Sequence, residues 1–475
     1  MFKRVNAVLL WLLPTAVFAI CEPVFERPPH ALARAWGPQP PSLPAVGDTA
    51  VWPHPTHKNG HHLRIHSVAD PSTLKTTGIE PEALNTRHEY SQHSAFSATG
   101  RWLISHGNTQ RVLFDGMQYT AIRAITREHR IADWQWDPKD DNIAYYMALE
   151  RNAVMRYDVK ADKHEPILTA DTVAHWIETD RTLTLEGNHG QGATSASGDR
   201  MAAKFAAGDD AIVVVFDPRS RAYIAHAEFP GLAGQRKMDW QGLSPSGDKL
   251  LVQGHFDALY QTAFADGNRN QQVRIFDVDS LDTLNGQLVL GRASHFDFMR
   301  DSRGREFFVI AGSQPPDGWK GKRERVRGLV QGLYTVDLET LAWRQRLNFR
   351  KRFKNGVPAV HVSASPNTAQ VLLSFYQGGN EDSAIDAQNS PMLFVDLDNG
   401  WNTRVAWFGW DLSANPGLGG SAHGYLAQPH ASHSTNVWFA NGERGMKAVW
   451  ASDNNTRDKL VGNMVVAELE CPANE

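Results

Sequence analysis

Histidine is the residue type with the most chemical potential in this chain: 20 imidazoles occur in 475 residues, against 2 cysteines. Several of them open short apolar stretches. His295 opens His295-Phe296-Asp297-Phe298 and His361 opens His361-Val362-Ser363. The segment Gln428-Pro429-His430-Ala431-Ser432-His433 sets a carboxamide beside two more imidazoles. A neutral imidazole presents one ring nitrogen as a donor. His295, His361 and His430, with Gln428 or His433 as a further ligand, would therefore form a site for a divalent cation such as Zn²⁺, Mn²⁺ or Ca²⁺ if they met at one point. The plainer alternative is a hydrogen-bonded polar lining. A second histidine group, His88, His93 and His106, lies nearer the N-terminus around Tyr90. Whether residues so far apart meet depends on the elements that carry them.

Those elements repeat. Short apolar strands ending in an acid occur at Val112-Leu113-Phe114-Asp115, Met155-Arg156-Tyr157-Asp158, Val214-Val215-Phe216-Asp217, Arg274-Ile275-Phe276-Asp277, Tyr334-Thr335-Val336-Asp337 and Leu393-Phe394-Val395-Asp396. A weaker seventh copy is Val465-Val466-Ala467-Glu468. Successive acids are 43, 59, 60, 60, 59 and 72 residues apart, a regularity that chance does not supply. Ahead of most copies lies a turn between strands, such as Ser195-Ala196-Ser197-Gly198-Asp199-Arg200 or Leu243-Ser244-Pro245-Ser246-Gly247-Asp248. Gly supplies the backbone angles of a hairpin and the flanking runs alternate as strands. Strand, turn, strand, then a strand ending in Asp is the grammar of a propeller blade, a small sheet that buries both faces against its neighbours. Seven units predict an all-β, seven-bladed β-propeller over 90–475, similar to secreted WD-repeat-like and Tol-associated propellers. First strands of such blades converge on a central channel, so His295, His361 and His430 occupy matching positions around it.

Lys3 and Arg4 precede the apolar run Val8–Leu13, which predicts a signal peptide over 1–19 and a secreted or periplasmic protein. No later run has the roughly 18 apolar residues of a membrane helix. The Pro- and His-rich stretch 20–89 is expected to be irregular and to pack on the propeller. Cys21 and Cys471, at the two ends of the exported chain, are expected to form a disulfide, with unrelated free thiols as the alternative. A net charge of −4 gives no reason to expect nucleic-acid binding, and a hydrophobic content of 41% is ample for one core. A monomer is expected.

The blade plan, Tyr90-Ser91-Gln92 entering the first blade, the histidine openings at His295 and His361, and the segment Gln428 to His433 together resemble secreted seven-bladed polysaccharide lyases, notably ulvan lyases and oligogalacturonate lyases. The resemblance implies β-elimination on an acidic, uronate-containing and optionally sulfated polysaccharide. In oligogalacturonate lyases late-blade histidines and a glutamine hold a metal; in ulvan lyases histidine, tyrosine and arginine carry out the elimination. Such a reaction removes the proton beside a carboxylate and needs a base, an acid and a group that stabilises the developing enolate. His88, His93 and His106 are the candidate bases, Tyr90 and Tyr146 the candidate acids, and Arg151 a candidate partner for the carboxylate.

Two basic loops add to this. Lys320, Lys322, Arg323, Arg325 and Arg327 precede one Asp-ending strand, and Arg344, Arg346, Arg350, Lys351, Arg352 and Lys354 follow it. Lys322, Arg323, Arg350 and Arg352 are the candidates to line a rim that attracts an anionic glycan, against the alternative of solvated, mutually repelling loops. No phosphate-cradling loop or nucleophile elbow occurs. A propeller of this kind also serves as a non-catalytic exported binder of a glycan or protein, and that is the second functional class the sequence supports.

Overall fold

The structure is a computed structural model that describes residue 45 and residues 47–53, 62–68, 94–106, 111–125, 131–187, 193–234, 237–256, 272–290, 295–311, 332–349, 359–376, 391–398, 404–410, 431–438, 444–452 and 463–470. Its strands form seven antiparallel sheets, one for each predicted repeat. Blade 2 shows the plan, with strands Ile131–Trp136, Ile143–Ala148, Ala153–Asp158 and Lys163–Thr169 in order from the axis outward. Blade 5 repeats it with His295–Arg300, Glu306–Ala311, Gly332–Asp337 and Trp343–Asn348, and blade 6 with Ala359–Ala364, Gln370–Tyr376, Pro391–Asp396 and Arg404–Trp410. Blade 1 has three named strands and an innermost bridge, Phe96 to Leu103. Residues of all seven first strands or their turns border one cavity, which places those strands around a common axis.

Both faces of each sheet are apolar because both are covered. Six buried clusters lie between consecutive blades rather than within them. One of them joins Phe96, Leu103 and Phe114 of blade 1 to Val449, Met464 and Val466 of blade 7, so the ring is closed by packing.

Most of the aspartates that end the third strands are turn-capping groups. Asp115 Oδ1 accepts from the backbone N–H of Met117 and Gln118, Asp217 Oδ1 from Arg219 and Ser220, and Asp337 Oδ1 from Glu339 and Thr340. Each carboxylate thus satisfies the donors of the hairpin into the fourth strand. Gly198 and Gly247 hold φ of 69° and 81° in the hairpins between first and second strands, a conformation that L-residues rarely adopt.

Glu468 departs from this pattern. It lies within Asn463–Glu470 and is buried, and among the described residues no strand follows it. The fourth strand of blade 7 comes from the N-terminal stretch instead. His62–Ser67 pairs antiparallel with Asn463–Glu470 from His62–Glu470 to Ser67–Val465, and Thr49–Pro53 pairs outside it. Within the leader expected to be irregular, the structure therefore describes two strands of the propeller itself. Histidine and proline concealed them: only Leu63 and Ile65 of the inner strand are apolar, and those two side chains are buried in the core. The signal segment and both cysteines lie outside the described residues. No described helix is long and apolar enough to cross a membrane.

Turns within a blade depend on close backbone contacts as well. Gly116 donates its N–H to Arg101 O at 2.7 Å, and a Cβ on it would lie 2.1 Å from Gly100 O. Gly116→Ala is expected to cost about 1–3 kcal/mol, as overpacking does where only backbone could yield. Urea denaturation of the two proteins checks this, and an unchanged midpoint would count against the contact.

Candidate functional site

The site is built on the first strands of blades 5, 6 and 7, whose side chains alternate between neighbouring blades. His295, at the start of its strand, turns its Nδ1 to Val360 O of blade 6 at 2.6 Å. A carbonyl only accepts, so Nδ1 carries the proton and Nε2 keeps the lone pair in the neutral ring. Burial lowers the His295 pKa from its ordinary value, opposed by the bond to Val360, and the imidazole stays neutral at neutral pH. The ring of His361, fully buried, lies 4.4 Å from that of His295, tilted by 52°. Two imidazoles separated by 66 positions in the chain are therefore in contact.

Asp297 lies on the same strand face as His295, two positions further on. Its Oδ2 accepts from Ala364 N at 2.6 Å and its Oδ1 from Phe298 N at 2.7 Å. Burial pushes its pKa well above the usual carboxylate value, against the pull of those two bonds. Blades 5 and 6 are thus pinned twice, by His295 to Val360 and by Ala364 to Asp297. The spacing in His295-Phe296-Asp297 was the available signal for Asp297, since period two puts both residues on one face.

His433 is held elsewhere. Its backbone N–H donates to Ser363 Oγ at 3.3 Å and its Nδ1 lies 3.2 Å from the same oxygen, while Phe394 packs edge-on at 5.2 Å. Burial lowers its pKa to about 3. It borders the axial cavity and does not join His295 and His361, and no group of three or more potential metal ligands forms among the described residues. Gln428 and His430 lie outside them.

The candidate acid–base residues fare unevenly. His88, Tyr90 and His93 lie outside the described residues, as do Lys322, Arg323, Arg350 and Arg352; His106 ends the strand Trp102–His106. Tyr146 is placed away from the axis. It sits in the second strand of blade 2, fully buried, with its hydroxyl 2.8 Å from His164 Nδ1 and its ring stacked on Trp134. Its alternation in Ile143–Ala148 turns it into the sheet packing, which the residue type alone did not reveal. Arg151 lies exposed in the short 3-10 turn Leu149–Arg151 between second and third strands, again off the axis.

The axial cavity has a volume of about 480 Å³. Gln135 of blade 2 borders it with its Oε1 accepting from Thr194 Oγ1 of blade 3 at 2.8 Å. Asp137 also borders it; Arg219 Nη2 and Nε reach its two carboxylate oxygens at 2.7 and 3.2 Å and Tyr145 donates at 2.9 Å. Burial acts on Asp137 most strongly, yet these bonds together hold its pKa below the ordinary value. No Lys or Arg lines the cavity among the described residues.

Fold and site define the class: a closed seven-bladed β-propeller with an imidazole pair on adjacent first strands and an axial cavity of mixed polar and apolar lining. No protein-family model matches the chain, and no curated protein matches its sequence. Among solved structures the chain is similar to an oligogalacturonate lyase in complex with manganese, with a TM-score of 0.52, 12% identity, and coverage of 91% of this chain and 98% of that one. It is also similar to the oligogalacturonate lyase of Vibrio parahaemolyticus, with a TM-score of 0.53, 10% identity, and coverage of 89% and 98%. At these identities the likeness shows the fold.

Proposed function

We propose that this propeller is an exported polysaccharide lyase that cleaves an acidic, uronate-containing polysaccharide by β-elimination. The observation that carries the reading is the His295–His361 contact, with His295 Nδ1–H anchored on Val360 O. An imidazole that gives one N–H to a backbone carbonyl presents its other nitrogen in a fixed direction, which is how metal-ligating histidines are oriented. The donor chemistry fits a divalent cation, and the manganese complex of the similar oligogalacturonate lyase supports the same assignment. His295 and His361 would hold it, with His430 and Gln428 as expected further ligands. A bound divalent cation supplies positive charge to the uronate carboxylate and to the enolate that forms when the adjacent proton leaves.

The chain's own residues do the remainder. His88, His93 or His106 takes the proton and Tyr90 protonates the leaving oxygen, while Lys322, Arg323, Arg350 and Arg352 draw the polymer to the rim. Export, a monomeric state and a Cys21–Cys471 disulfide belong to the same reading.

The test supplies polygalacturonate, alginate and a sulfated uronate polymer, each with Mn²⁺, Zn²⁺ or Ca²⁺, and follows the ultraviolet absorbance of unsaturated uronate. Product with at least one polymer, lost on chelation and restored by the cation, is the expected result. Folded, metal-loaded protein that retains a polymer on a column without forming product would overturn the lyase reading in favour of a glycan-binding propeller.

A further inference from the structure

A ligating imidazole keeps its direction by giving its second ring nitrogen to an acceptor. Val360 O does this for His295. His361 stands on the next blade, fully buried, with its ring 4.4 Å from that of His295, and the strand beside it offers a partner of another kind. In the register of Ala359–Ala364 with Gln370–Tyr376, His361 is directly opposite Ser374. Opposite residues of an antiparallel pair share a face of the sheet, with Cβ atoms about 4.5–5.5 Å apart. Ser374 is fully buried as well.

Among the described residues Ser374 Oγ has no hydrogen-bond partner, and no other buried serine or threonine hydroxyl there is in that condition. Ser363, on the face that carries His361, shows the usual arrangement: its Oγ accepts the His433 backbone N–H. A buried hydroxyl left unpaired carries the cost of its lost hydration, so native proteins seldom keep one without a use for it. Packing does not demand a hydroxyl here. In blade 5 the corresponding pair is Asp297 with Val309, and Val309 is fully buried in the apolar core that blades 5 and 6 share. An apolar β-branched side chain thus fills the same place one blade away, where no imidazole stands opposite.

We infer that Ser374 is the positioning residue of His361: its hydroxyl accepts one ring N–H of His361 when the other ring nitrogen is given to a divalent cation, as Val360 O does for His295. The inference rests on the proposed reading of His295 and His361 as cation donors. The hydroxyl then has two effects of opposite sign. It lowers the stability of the metal-free protein and gives direction to a ligand in the loaded one.

The test uses the full chain with Mn²⁺ alone as the probe, its affinity read by electron paramagnetic resonance and the stability of the metal-free protein by urea denaturation. Ser374→Val and Ser374→Thr have the same shape and differ in the hydroxyl, and Val309 shows that a β-branched side chain fits this position. Ser374→Val and Ser374→Ala are each expected to weaken Mn²⁺ binding about tenfold, while Ser374→Thr stays within about twofold of wild type. Metal-free Ser374→Ala is expected to be at least as stable as wild type, a combination that a merely structural serine would not give. Equal affinities of the folded Val and Thr variants would overturn the inference. If neither of those two folds, Ser374→Ala decides, and wild-type affinity in that protein overturns the inference alone. Wild type that binds no Mn²⁺ would overturn it together with the cation reading of the proposed function.

Discussion

His361→Ala is expected to lower elimination activity by about 100-fold or more, and His295→Ala to do the same. Losing an outer partner of a metal-ligating histidine typically costs about 10–100-fold in affinity or activity, and here the donor itself is removed. The physical reason lies in the contact between the rings. His295 is aimed by Val360 O on the strand that carries His361, so its imidazole holds its place through the neighbouring blade and packs on the His361 ring. In the proposed mechanism, removing either would leave too few fixed donors for a cation that also binds a uronate carboxylate. Because His361 is fully buried, stability has to be read alongside activity. Thermal unfolding of each variant, with Mn²⁺ affinity measured by electron paramagnetic resonance, separates loss of the site from loss of the fold. A folded His361→Ala protein with unchanged cation affinity and rate would remove the pair from the mechanism.

The ring was legible because its repeating unit carries a chemical marker. Asp115, Asp217 and Asp337 recur where a hairpin leaves backbone donors to satisfy, and period-two apolar runs on either side name the strands. His295 and His361 are not equivalent positions: Arg300 and Ala364 end the two strands, so His361 corresponds to Asp297 and His295 to Ala359. Both were legible as histidines near the starts of consecutive first strands. The closing strands were not. Leu63 and Ile65 pair with residues more than 400 positions away, and no local pattern encodes such a partner. Glu468 resembles the other acids in sequence but caps no hairpin among the described residues, and its role is set by its buried partners Tyr119, Lys447 and His66. Tyr146 shows the reverse case, a residue type suited to acid catalysis whose strand position commits it to packing against Trp134.

Glu468→Ala is expected to destabilise the propeller by about 3–5 kcal/mol, the cost of breaking a buried ion pair by removing one partner. Three parts of the chain converge on this carboxylate. Tyr119 of blade 1 donates to Oε1 at 2.5 Å, Lys447 of the second strand of blade 7 reaches the same oxygen at 3.3 Å, and His66 of the N-terminal strand meets Oε2 at 3.3 Å. Lys447 is itself fully buried, donating to Gly116 O at 2.7 Å and lying 5.0 Å above the Tyr119 ring. Without Glu468 its ammonium would lose its paired carboxylate and keep a carbonyl, aromatic faces and the field of Asp115. Lys447→Met with Glu468→Leu should recover much of the loss, since an apolar pair of similar volume removes the uncompensated charge. The pH dependence follows from the same contacts. Burial acts most strongly on Glu468 and raises its pKa, but His66, Lys447 and Tyr119 together outweigh it and hold the group below 4.5. A carboxylate depressed in the folded state contributes stability that is fully present above its unfolded value and is lost as pH falls through its folded one. Urea midpoints for wild type should therefore fall on acidification below about pH 4.5, and the double variant should lack that component. A Glu468→Ala cost under about 1 kcal/mol, or a double variant no more stable than the single, would show that the ring is closed by Leu63, Ile65 and their apolar neighbours alone.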